Sequence, residues 1–187
     1  MKRKIYDSMQ KWKEENGRTA LLIDGARRVG KSYIAQEFAK KEYKSYILID
    51  FNRAPAEITD LFVHYLNDLT MFFLYLSNFY GVKLYERESL IIFDEVQLFP
   101  KARAAIKYLV EDGRYDYVET GSLMTIKKNV ADIVIPSEER HMKMYPLDFE
   151  EFLWALDNDT LMDFIRLCFE KKKHSCDHTR VFSSDNS

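Results

Sequence analysis

The chain has 187 residues, with 28 basic and 30 acidic side chains and a formal net charge of −2. That length suits one domain, large enough to bury roughly 70% of the surface its unfolded form exposes, so folding needs neither a disulfide nor a metal. Hydrophobic residues at 47% and charged residues at 31% exclude a collagen-like chain, a wholly disordered chain and a disulfide scaffold, and the even charge balance gives no support for nucleic-acid binding.

The predicted elements follow in chain order. Ile5, Met9 and Trp12 form one stripe of an N-terminal amphipathic helix within residues 1–17, which Asn16-Gly17 is expected to stop. Thr19 to Asp24 is a continuous apolar run, which suits a strand buried on both faces of a parallel sheet. A helix from Lys31 to Lys41 and a second buried strand from Ser45 to Asp50 come next. Pro55 to Tyr80 reads as helix in two pieces, broken at Asn67-Asp68. Ser89 to Asp94 is the third strand, and Pro100 opens a helix that ends at Asp112-Gly113. Tyr115 to Thr120 is a fourth strand and His141 to Tyr145 a short fifth. Asp148 caps a helix through Leu156, and a last helix covers Thr160 to Lys171 within a C-terminal segment 157–171. The polar residues 172–187 read as a disordered tail. Strand-helix alternation with buried strands means an α/β fold, a parallel sheet flanked by helices.

One segment carries the chemistry. Gly25-Ala26-Arg27-Arg28-Val29-Gly30-Lys31-Ser32 has the spacing G-x-x-x-x-G-K-S, set between a buried strand and a helix. Glycines at both ends let consecutive backbone N–H groups turn inward around phosphate oxygens, and the helix beginning at Lys31 directs its positive end at the same anion. Lys31 is placed to reach the β- and γ-phosphates, and Ser32 to offer its hydroxyl to Mg²⁺. Arg27 and Arg28 either face solvent or add positive field around a triphosphate. The third strand ends in Asp94-Glu95. Asp94 is the candidate to hold Mg²⁺ with Ser32, and Glu95 the candidate to take a proton from the attacking water. Thr120-Gly121-Ser122 follows the fourth strand, where open α/β sheets bind ligands, and spacing does not choose between Thr120 and Ser122 as the hydroxyl facing the γ-phosphate.

Together, GARRVGKS, LIIFDEVQ, VETGS and MYPLDFEEF resemble an AAA+-type ATPase family of bacteria and archaea over about Lys2 to Leu156. The resemblance implies a five-stranded phosphate-loop sheet in the order 5-1-4-3-2, spanning a domain of residues 18–156, with ATP and Mg²⁺ as cofactors. It implies that Ser122 lies beside both Gly25 and Asp94, and that Lys31, Glu95 and Ser122 are catalytic. It also matches an acid-acid-aliphatic-glutamine motif to Asp94, Glu95, Val96 and Gln97. Similar proteins carry Gly-Arg ahead of the fifth strand, where this chain has Glu139-Arg140, so Arg140 is a nucleotide-binding candidate without its usual glycine. They also continue into a long C-terminal region, so the chain is expected to be the ATPase half alone, with slow turnover and a tendency to self-associate.

The remaining features weigh less. The apolar run Leu69 to Leu76 is too short to span a bilayer, and two cysteines without a secretory signal read as reduced thiols. Both point to a cytoplasmic chain with no membrane partner. Cys168, His174, Cys176 and His178 match no usual zinc spacing. The aromatic run including Phe62, Phe72, Phe73 and Phe79 is either the layer that covers the sheet or a docking surface, with Phe72 and Phe73 at the centre of the expected self-association. Three functions share the loop: a Mg²⁺-dependent ATPase, a non-hydrolysing ATP-dependent switch, and a small-molecule or nucleotide kinase. No arginine-rich lid favours the kinase, and the acid pair favours hydrolysis.

Overall fold

The computed structural model describes residues 2–15, 18–122, 139–158 and 160–178, with no side chains described at 172–178. The sheet has five parallel strands: β1 (Ala20–Gly25), β2 (Ser45–Asp50), β3 (Ser89–Asp94), β4 (Asp116–Ser122) and β5 (Glu139–Met144). Their spatial order, β2-β3-β4-β1-β5, is the expected order read from the other edge. The three central strands are buried along their whole length, as the apolar runs of β1 and β3 require, whereas the edge strands β2 and β5 are buried only in part.

Helices cover both faces. On one face lie α1 (Ile5–Glu14) and α2 (Lys31–Glu42), with Met9, Trp12, Ile34 and Phe38 packed on Leu21, Ile23, Ile92 and Val118. On the other lie α3 (Ala56–His64), α4 (Leu69–Tyr80) and α5 (Pro100–Asp112), with Phe62, Phe72, Phe73 and Ile106 packed on Leu22, Ile47, Phe93 and Tyr117. Side chains alternate across a strand, so each strand feeds both layers. Asp68 caps α4 by accepting from the Met71 N–H, which explains the break between α3 and α4. Gly113 ends α5 in the left-handed conformation, φ 74°. Phe72 and Phe73 belong to this core, with Phe72 0% exposed, so they are not a docking surface. The large apolar side chains that α4 leaves to solvent are Leu74, Tyr75 and Phe79.

Residues Lys4–Pro146 form one compact unit. The second unit joins Lys2 and Arg3 to α6 (Phe149–Ala155) and α7 (Thr160–His178). Asp148 and Glu151 form a reciprocal cap on α6, and Arg3 Nε meets the buried Glu151 carboxylate at 3.1 Å. The last helix continues past Lys171 to His178, so the segment expected to be a disordered tail is helical through that residue. The zinc candidates His174, Cys176 and His178 lie outside the described side chains, as does the stop at Asn16-Gly17.

Candidate functional site

The loop between β1 and α2 is shaped by its two glycines. A Cβ on Gly25 would lie 2.2 Å from the Met144 carbonyl oxygen of β5, because Gly25 and Met144 are paired across the sheet edge. Gly30, at φ 95°, takes a left-handed conformation immediately before α2 and turns the chain into the helix. Arg28 is also left-handed, at φ 64°, and Ala26, Arg27 and Arg28 form the exposed crest of the loop. Lys31 reaches back across this loop. Its Nζ donates to the Ala26 carbonyl at 2.8 Å and to the Gly25 carbonyl at 3.3 Å. Burial lowers the pKa of Lys31 and the Arg27 charge lowers it further, while Glu95, Asp94 and Asp24 oppose both effects.

The acid pair faces that loop from β3. Asp94 Oδ1 accepts from Ser32 Oγ at 2.6 Å and also from the Thr120 hydroxyl. The Glu95 backbone N–H in turn donates to Thr120 Oγ1 at 3.3 Å. Ser32, Asp94, Thr120 and Glu95 are therefore one hydrogen-bonded run across α2, β3 and β4. Glu95 sits in the left-handed region, φ 55° and ψ 43°, where the chain leaves β3 for a 3₁₀ turn at Val96–Leu98. Such a conformation in a non-glycine residue is uncommon and often marks a functional site. The buried Gln97 folds back from that turn, and its Nε2 donates to Glu95 Oε2.

The sheet register separates the two hydroxyl candidates. Phe93 pairs with Glu119, which sets Thr120 beside Asp94, whereas Ser122 pairs with Gly25 at the mouth of the loop. The expectation that Ser122 lies beside both is corrected: Ser122 adjoins the loop, and Thr120 adjoins the acid pair. Arg140 is not brought to the site. It pairs with Leu21, four positions before Gly25 along β1, and its guanidinium binds Glu15 beyond the end of α1.

A second polar cluster lies on the α5 side of the sheet. Arg103 of α5 meets Glu139 of β5 at 3.0 Å, and Arg103, Glu139 and Glu119 are all buried. Burial pushes the Glu119 carboxyl well up, the neighbouring Glu139 pushes it further, and Arg103 opposes both. Glu119 lies one residue before Thr120, and burial beside Glu139 favours its protonated form. Sequence reasoning assigned no role to Glu119, Arg103 or Gln97, although a glutamate inside the buried run Tyr117-Val118-Glu119 is itself a signal.

The donor set at Ser32 and Asp94 fits Mg²⁺, a hard cation that takes hydroxyl and carboxylate oxygens. Among the described residues no cluster of three His, Cys, Asp or Glu offers another metal site. No helix among them is long and apolar enough to cross a membrane.

An uncharacterised protein of Methanocaldococcus jannaschii, MJ1637, is 22% identical over 157 residues, covering 82% of this chain and 32% of that protein. The chain thus spans about a third of the length of this relative. PCH-2 of C. elegans superposes with a TM-score of 0.44 at 11% identity, over 87% of this chain and 46% of that one. The AAA domain family matches residues 17–153, which include the loop, the acid pair, Thr120 and Ser122. The chain belongs to this AAA domain family of nucleotide-binding ATPase modules.

Proposed function

We propose that the chain binds ATP with Mg²⁺ at the Gly25–Ser32 loop and hydrolyses its terminal phosphoanhydride bond. The observation that carries this reading is the hydrogen-bonded run Ser32–Asp94–Thr120–Glu95, which ties the loop hydroxyl to an acid pair. The loop N–H groups and the start of α2 cradle the phosphates, and Lys31 exchanges its carbonyl partners for phosphate oxygens. Ser32 and Asp94 would hold the metal, which when bound supplies charge neutralisation on the β- and γ-phosphates. Glu95 takes a proton from water as the water oxygen bonds to the γ-phosphorus. The bond from that phosphorus to the bridging oxygen breaks, leaving ADP and inorganic phosphate. Ser122, beside Gly25, contacts the γ-phosphate, and Thr120 holds Asp94 in place.

An arginine finger, supplied in cis or by a partner protein, is worth roughly 10³ to 10⁵ in rate in phosphate-loop enzymes, and a neighbouring copy is the candidate source here. The isolated chain is therefore expected to hydrolyse ATP slowly and to speed up where copies associate, which turnover measured against sizing chromatography reads directly. Product analysis with γ-labelled ATP tests the reaction itself. Free phosphate that needs Mg²⁺ and disappears in Glu95→Gln supports hydrolysis. Label appearing on an added acceptor would indicate a kinase, and binding without release of label would indicate a switch.

A further inference from the structure

Glu95 must present one carboxylate oxygen to a water, yet it is half-exposed at a strand end and has three side-chain rotors. Two contacts hold it. Its backbone N–H is bound by Thr120 Oγ1, in a left-handed conformation that directs the side chain away from the line of β3. Its side chain is bound at Oε2 by the amide of Gln97. Gln97 is 4% exposed, so it acts as an anchored donor rather than a flexible surface group. The 3₁₀ turn at Val96–Leu98 explains the two-residue spacing, because it returns the Gln97 side chain to the carboxylate that precedes the turn. An amide N–H bonded to one carboxylate oxygen leaves the other free to accept a proton.

We propose that Gln97 is a positioning residue for the general base: its amide clamps Glu95 Oε2 and leaves Oε1 to face the attacking water. This rests on the hydrolytic reading of the site. Gln97 acts through Glu95 rather than on the nucleotide itself. Its role is to remove the rotamer freedom that would otherwise let Glu95 swing out to solvent, and general-base catalysis depends on that geometry.

Gln97→Met separates clamping from packing, since methionine keeps the length and bulk of glutamine without the donor. In the full chain, Gln97→Met is expected to lower kcat roughly 10- to 100-fold. KM and the melting shift produced by MgATP should stay at wild-type values, since the phosphate loop is untouched. In Glu95→Gln, adding Gln97→Met should cost nothing further. A readout independent of turnover is the side-chain amide resonance of Gln97 in the nucleotide-free chain, which should move in Glu95→Ala. A wild-type kcat in Gln97→Met beside an inactive Glu95→Gln would overturn the role of Gln97 and leave the hydrolytic reading standing. So would a Gln97 amide resonance indifferent to Glu95→Ala. Equal rates in wild type and Glu95→Gln would instead overturn the hydrolytic reading, and the proposal with it.

Discussion

Gly25→Ala tests how tightly the phosphate loop is built into the sheet. The added Cβ would lie 2.2 Å from the Met144 carbonyl oxygen and 3.2 Å from its carbon. An ordinary C···O contact is about 3.3 Å, so β1 and β5 must part by about 1 Å at this pair. Both clashing atoms are backbone in paired strands, so no side-chain rotation relieves the contact. Overpacking of this kind costs about 1–3 kcal/mol. In a chain of this size that lowers the melting temperature by about 2–12 °C. The displacement falls at the start of the loop, and a shift of about 1 Å in a positioned group costs on the order of 10²-fold in function. Thermal melting with and without MgATP reads both effects: a lower base temperature and a much smaller rise with ligand. Gly81→Ala is the control, since nothing lies within 4 Å of its Cβ and only the left-handed backbone, φ 63°, is strained. It should lose about 1–2 kcal/mol and keep the full response to ligand. A Gly25→Ala chain with wild-type melting and wild-type ligand response would refute the reasoning.

Lys31→Ala should abolish the MgATP-induced stabilisation, which in the wild type amounts to about 2.7 kcal/mol at a hundred times Kd; a retained shift in melting temperature would show that the lysine does not hold the phosphates. Phe72→Ala, inside the core, should cost about 3–5 kcal/mol. Leu74→Ala, at 59% exposure on the same helix, should stay within about 0.5 kcal/mol, and denaturant titration of the pair checks the assignment of the two faces. Glu119→Gln should change how stability depends on pH. Above the unfolded glutamate value of about 4.3 and below its raised native value, the native state holds more proton than the unfolded chain, so stability falls as pH rises. Glu139 and Arg103 are the charged groups facing Glu119, with His141 at 3.5 Å from Glu139. Denaturation from pH 5 to 8 should show Glu119→Gln gaining on the wild type as pH rises, and a constant difference between the two would mean that Glu119 is ionised in the folded chain.

Much of the fold was legible in the sequence because its signals are local. The unbroken apolar runs at Leu21–Ile23 and Leu90–Phe93 mark strands buried on both faces, and the spacing of Gly25, Gly30, Lys31 and Ser32 marks the phosphate loop. Asp68 and Asp148 mark helix starts through hydrogen bonds within one turn of their own positions, and Gly113 marks a helix end by its left-handed backbone. What only the tertiary structure decided depends on register and on which layer a side chain enters. Thr120 and Ser122 are two residues apart and on the same side of β4, and only the pairing of β4 with both β3 and β1 gives the first to Asp94 and the second to Gly25. Arg140 is basic and lies in the fifth strand, but its register against Leu21 sets it four positions from Gly25. Phe72 and Leu74 are neighbours in one apolar run, and the helix turn sends one into the core and the other to solvent. Arg103, Glu119 and Glu139 come from three elements spread over 37 positions. Their charges meet only because α5, β4 and β5 pack together, and long-range packing of that kind leaves no mark in local spacing.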